Sequence, residues 1–276
     1  MKIIISKEEL EQFIPVMASS HDVVFDAVRP TIDDIAETVC ENLLGPVGVA
    51  ALDSESEGCL MRAVKKYVSH QAVLAVLRQL DLVLTPTGFG VVSNDNVSPA
   101  SKQRVDALEG ALRTGREKAY WRLVDLLRTV NDWGNQPLAV GIVEYLYDGV
   151  CFFFGDGHLQ RTYIDWEAAR QAVMEADEYL RVRIGNELMD DMIAGYRTNS
   201  ERYQACLPAV SLVRKITGLW ISRGRDSIDF PLRRLIQVIE KDRSLYSLYF
   251  TSSAYEFNHH ETFQNTKDSA AFVFNG

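Results

Sequence analysis

Between Leu60 and Leu82 the chain carries the apolar pattern that most narrows what it can fold into. In the first half, Met61, Val64, Tyr67 and Val68 share one side, while Lys65, Lys66 and Ser69 lie elsewhere. The second half, Ala72–Leu77, is apolar all round. Side chains three and four apart share a helix face, so the first half predicts one buried stripe and the second predicts burial on several sides. Such a helix is central and needs neighbours. Four other runs keep the same spacing: Phe25 to Leu43, Val105 to Val130, Ala169 to Leu188, and Leu207 to Trp220. The expected fold class is therefore mainly α, with helical bundles of long amphipathic helices and a few short strands.

Local signals set the expected boundaries. Ser6-Lys7-Glu8-Glu9 is a capping box, and the helix it opens stops before Pro15. Asp22 opens the next helix, in which Pro30 predicts a kink or a restart near Thr31, and Gly45-Pro46 ends the pattern. A helix from Ser98-Pro99 to Val130 contains Gly110 and Gly115, each costing ~1 kcal/mol against alanine, so a bend is expected there. Asp165 caps a helix from Trp166 to about Gly195, Pro208 lies in the first turns of the one that follows, and Leu232–Ile239 forms another. Val150–Phe154 reads as a buried strand or aromatic plug, Val91-Val92 as a brief strand, and Leu245–Phe250 and Ala271–Phe274 as strand-capable. The end, from Asn258, is expected to dock through Phe272 and Phe274.

Two helical units are expected, 1–134 and 135–276, the second with an aromatic C-terminal tail. Ala36–Gly45 can be laid on Ala176–Gly185, each followed by a polar loop and a strongly apolar helix. That echo is either a duplicated helical unit or chance likeness between amphipathic helices.

Charge and motifs exclude several functions. A net charge of −9 repels a phosphate backbone, which argues against general nucleic-acid binding. Arg214–Arg243 is locally basic, either a partly paired solvated surface or a contact patch for an acidic partner. Asp33, Glu37 and Glu41 form an acidic stripe without a histidine nearby, so a solvated face is expected and not a metal site. No apolar run approaches the ~20 residues of a membrane span, and the first residues lack the apolar core of a leader. Cys40, Cys59, Cys151 and Cys206 are scattered among apolar neighbours, as expected of buried free thiols in a reducing compartment. No phosphate-binding loop, zinc-protease helix or nucleophile elbow is present, and Gly88-Phe89-Gly90 follows an apolar helix, which is the wrong place for a phosphate cradle. Adjacent His259-His260 would point apart on a strand, so no shared metal, no cofactor and no catalytic set is expected.

The densest turn chemistry lies in Leu80–Ala107, between two long helical patterns. Thr85-Pro86-Thr87-Gly88 fits a type II turn, Gly90 is a second permissive point, and Ser98-Pro99 is a helix start. Such residues specify shape, so Thr85–Gly90 is expected to fix the exit angle between the helices and to present a loop to a neighbouring subunit. Leu82–Val92 followed by Ser98–Ser101 resembles a family from tailed phages and prophages of Bacteroides-type bacteria whose members are similar to head–tail connector (adaptor) proteins. Phe13–Val16 and Ile184–Leu188 are also similar to that family. The resemblance implies a non-enzymatic virion structural protein that assembles as a ring and meets portal or tail components. It would let DNA pass a negative wall without sequence-specific binding. It also implies a cytoplasmic chain when expressed and a virion component if phage-encoded, with no membrane. On that reading Thr85, Pro86, Gly88, Phe89, Gly90, Ser98 and Pro99 are the structural turn and subunit-contact residues. The alternatives are a host helical binding or scaffolding module, and an enzyme with dispersed carboxylates.

Overall fold

A computed structural model of the chain describes residues 3–15, 17, 22–54, 58–80, 82–85, 88–91, 101–155 and 165–259. They fall into two compact units. The first takes Met1–Glu144, Asp148–Asp156 and Arg197–Asn199; the second takes Tyr145–Tyr147, Gly157–Tyr196 and Ser200–Gly276.

The first unit begins with an arm in which Ile3 and Ile5 are buried and Ile4 is exposed. Helix α1 (Lys7–Phe13) follows under the capping box: Glu9 N donates to Ser6 Oγ at 3.2 Å, and Ser6 N donates to Glu9 Oε2 at 3.0 Å. Helix α2 (Asp22–Val39) runs through Pro30 without a restart. The helix tolerates the proline because Pro30 and Asp26 both face solvent, where water can take the place of the donor the Asp26 carbonyl loses. A π-helical turn, Cys40–Leu44, leads to Gly45, whose φ of +61° turns the chain into α3 (Gly45–Ser54). Helix α4 (Cys59–Val76) packs against α1 and α2. Next come an antiparallel pair, β1 (Leu82–Thr85) and β2 (Gly88–Val91), then α5 (Lys102–Leu127), which lies along α4. A 3-10 turn at Trp133–Asn135, α6 (Pro137–Ile142) and α7 (Gly149–Phe154) complete the unit.

Helix α4 is its centre: Val64, Val68, Ala72 and Val73 are at most 1% exposed, whereas Ala75, in the half that is apolar all round, is exposed. Burying one such valine is worth ~1.5 kcal/mol or more. Trp133 is fully buried and donates its Nε1 to Leu43 O at 3.1 Å, while Gln136 Nε2 donates to Leu44 O at 3.3 Å. These two side chains satisfy carbonyls that the end of the π-turn leaves open.

The second unit contains α8 (Trp166–Ile184), α9 (Asn186–Arg197), α10 (Glu201–Arg223), α11 (Asp229–Lys241), α12 (Ser247–Phe250) and α13 (Ser253–Asn258). Asp165, Ser200 and Ser252 cap α8, α10 and α13 through backbone amides. Helix α10 packs on α8 and α11 over a core that includes Leu180, Ile184, Val213, Ile216, Leu235 and Ile239. The run expected to continue to Gly195 breaks at Gly185, whose φ is +92°. Arg181 holds this corner, donating to Asp177 at 2.6 Å on its own helix and to Asp190 at 2.7 Å on α9.

The two units share an order of elements. In each, a long helix ends at a left-handed glycine, Gly45 or Gly185, followed by a shorter helix and a long one. Each long helix, α4 or α10, then packs against the next, α5 or α11. The connections differ. From α10 to α11 the chain needs only residues 224–228, whereas from α4 to α5 it uses 77–101 and includes the β1–β2 ribbon.

Several expectations are corrected. The fold is almost entirely helical, and the strands expected at Val150–Phe154 and Leu245–Phe250 are not there. Val150–Phe154 lies in α7, because Asp148 Oδ1 accepts from Val150 N and Cys151 N and so caps a helix. Leu245–Phe250 is a turn leading into α12. Ala271–Phe274 lies outside the described residues. Among the described residues, extended pairing is confined to the ribbon between α4 and α5. Helix α4 ends at Val76, not Leu82, so Gly88-Phe89-Gly90 follows a strand. Helix α5 starts after Ser101, which sits at the N-cap position without a side-chain cap bond, and spans both glycines as one element. Cys206 is buried, whereas Cys59 is exposed. Val24–Ser54 is long and apolar enough to cross a membrane by length and composition, which the reading of separate apolar runs had missed. In the fold that segment turns at Gly45 and buries Val28, Ile32, Ala36, Val39 and Leu43.

Candidate functional site

The sequence points to the connection between α4 and α5, and the geometry of that helix pair decides how the connection is held. Midway along the pair the helices approach closely. His70 on α4 is 7% exposed, and its Nδ1 lies 2.9 Å from Lys66 O. A carbonyl only accepts, so Nδ1 carries the proton and Nε2 faces α5. What it faces is Gly115: a Cβ there would lie 2.6 Å from His70 Cδ2 and 2.7 Å from Nε2. Burial pushes the imidazole below its ordinary pKa, so it stays neutral. Gly115 therefore supplies space for the ring, while a Cβ at Gly110 would meet nothing within 4 Å.

Aromatic packing continues the seam. Tyr67 on α4 lies 5.5 Å from Tyr120 on α5, and Tyr120 lies 5.1 Å from Trp121 in an edge-on arrangement. Burial pushes the Tyr67 hydroxyl above its ordinary pKa. Trp121 leaves room for α7 only because position 149 is glycine, where a Cβ would come within van der Waals overlap of the indole.

At the end next to the ribbon, charges join the two helices. Arg78, in the turn after α4, donates to Asp106 at 2.8 Å and to Glu109 through Nε at 2.8 Å, and Arg113 donates to Glu109 at 2.7 Å. These bonds from Arg113 and Arg78 hold the Glu109 carboxyl below the usual carboxylate range. The group is exposed, so it fixes direction more than it adds stability.

Beyond this clamp, Leu82 pairs with Val91, Val83 with Gly90, Leu84 with Phe89 and Thr85 with Gly88. The structure thus places Thr85 at the end of β1 and Gly88, Phe89 and Gly90 in β2. Pro86, Ser98 and Pro99 lie outside the described residues. The motif builds a ribbon, not a simple helix-to-helix corner. Sequence reasoning missed the Arg78 clamp and the His70–Gly115 contact. The i, i+4 spacing of Glu109 and Arg113 was legible, but pairings across 28 and 31 residues leave no local signal.

Elsewhere, a cleft of about 400 Å³ lies between the N-terminal arm and α2, lined by Ile4, Lys7, Phe25, Arg29 and Asp33 among others. Its two carboxylates, Glu8 and Asp33, share the lining with Lys7 and Arg29, and no group of three metal-ligating side chains occurs among the described residues.

Residues 50–137 match the model of a family of unknown function, DUF6712. The match runs from the end of α3 through α4, the ribbon, α5 and the Trp133 turn to the first residue of α6. No curated protein and no solved structure matches the chain.

Proposed function

We propose that this chain is a non-enzymatic structural protein of tailed-phage type, a head–tail adaptor subunit that assembles with copies of itself through the ribbon between α4 and α5. The observation that carries the reading is the length and form of that connection. The second unit joins the equivalent helix pair with residues 224–228 alone. The first uses residues 77–101 and places a two-stranded ribbon in them. A long connection with structure of its own is usually a functional one. Two strands are marginal alone, and among the described residues neither outer edge has a partner strand. An open edge is a template for a strand of another chain. The residues that resemble the phage family, Leu82–Val92, lie on this ribbon, and the matched family segment spans the helices that hold it. Portal, tail and capsid components are the partners this reading assigns, and their genes are expected beside this one.

Sedimentation of the intact chain tests it. The native protein is expected to form discrete oligomers. A variant with residues 82–91 replaced by a short Gly-Ser turn is expected to keep its helical circular dichroism and to sediment as a monomer. A native chain that stays monomeric at millimolar concentration, alone and with portal protein, would refute the proposal.

A further inference from the structure

Resting on that assembly reading, we propose a second contact between copies: the basic outer face of α11 on one copy docks on the acidic outer face of α2 on the next. Helix α11 buries Leu232, Leu235 and Ile239 and turns Phe230, Arg233, Arg234, Gln237 and Lys241 outward on one stripe. Phe230 is 78% exposed, the largest exposure among the exposed large hydrophobic side chains described. Arg233, Arg234 and Lys241 have no carboxylate partner among the described residues. Nearby, Arg225 lies 4.8 Å over the Tyr179 ring and also has no acid partner among them. An exposed aromatic side chain with two arginines one turn along the same helix face has the composition of an interface centre.

Helix α2 offers the complement. It buries Val28, Ile32, Ala36 and Val39 and exposes the opposite stripe. There Pro30 is followed at +4 by Asp34 and at +11, in the π-turn that continues α2, by Glu41, with Glu37 between. On α11, Phe230 is followed at +4 and +11 by Arg234 and Lys241, with Arg233 beside them. The +4 and +11 offsets coincide and the signs are opposite. At ~1.5 Å per residue the charges at +4 and +11 lie about 10 Å apart, so laying the helices side by side brings Asp34 to Arg234 and Glu41 to Lys241. Asp34, Glu37 and Glu41 have no cationic partner among the described residues, so the stripe is not already neutralised within the chain. Two copies whose like faces met would repel. The complementary contact joins different faces, which is the heterologous kind that makes a ring where the rotation between copies closes.

The test uses the intact chain at low and high salt, by sedimentation velocity, with circular dichroism as a check on folding. R233E/R234E and D34K/E37K should each weaken assembly roughly 10-fold or more, since like charges then face each other. The four changes together should restore it, as should mixing the two double variants. Native assembly that is insensitive to both reversals overturns this contact and leaves the ribbon reading standing. Failure of the fourfold variant and the mixture to reassemble also overturns it. So does binding of duplex DNA that R233E/R234E abolishes while self-association persists. A native chain that never assembles overturns both readings.

Discussion

Replacing Gly115 with alanine is the sharpest test of how α4 and α5 fit together. Alanine is favoured over glycine in a helix by ~1 kcal/mol, so on propensity alone the change stabilises. The structure reverses the sign. The new Cβ would sit 2.6 Å from His70 Cδ2 and 2.7 Å from Nε2, closer than such atoms approach. The ring has little freedom to move, because it is buried and its Nδ1 is bonded to Lys66 O at 2.9 Å. Overpacking of this kind costs ~1–3 kcal/mol, and pulling the imidazole off the carbonyl costs ~1 kcal/mol more. The expected net is a loss of about 1–3 kcal/mol. Gly110→Ala, on the same helix with nothing within 4 Å, should gain up to ~1 kcal/mol. Urea denaturation followed by far-ultraviolet circular dichroism reads both changes. A His70→Ala background removes the obstacle, so Gly115→Ala should become neutral or stabilising there, a coupling that a double-mutant cycle isolates. If Gly115→Ala stabilises the native chain as much as Gly110→Ala does, the close approach of the two helices is wrong.

The same histidine sets a pH dependence. Its folded pKa lies below the ordinary value of about 6.5, so the unfolded chain binds the proton first. Its stabilising contribution is full above that pH and is lost as the pH falls through the folded pKa; His70→Gln should flatten this part of a stability-against-pH curve. Asp148→Ala should cost ~1–2 kcal/mol in denaturation by removing the acceptor for Val150 N and Cys151 N, with Asp148→Asn largely retaining stability. An alanine variant as stable as the native chain would show that α7 does not depend on this cap. Shortening the ribbon to a Gly-Ser turn should abolish assembly while leaving the urea midpoint of the helical units nearly unchanged, because the ribbon lies outside the α4–α5 seam.

Local chemistry made much of the helical part readable. The capping box at Ser6–Glu9 and the cap at Asp165 act within three residues, and the stripes of α2, α4, α8 and α11 repeat every three or four. The centrality of α4 followed from the apolar half of its own sequence. Short apolar runs were different. Phe152 and Phe153 suit a strand as well as a helix, and what decides is the Asp148 side chain turned back onto the following amides. The candidate site divides in the same way. Thr85, Gly88 and Gly90 were visible as turn chemistry, but their pairing into a ribbon depends on strand register.

The sequence by itself determined which of the long segments are helical and which of their faces are apolar, because these depend on neighbours a few residues apart. Tertiary structure decided the rest: the left-handed turns at Gly45 and Gly185, the space that Gly115 leaves for His70, the clamp that Arg78 makes, and the ribbon set between α4 and α5. Each of these depends on atoms far apart in the chain, whose approach is set by packing density and strand pairing and has no periodic trace in the sequence.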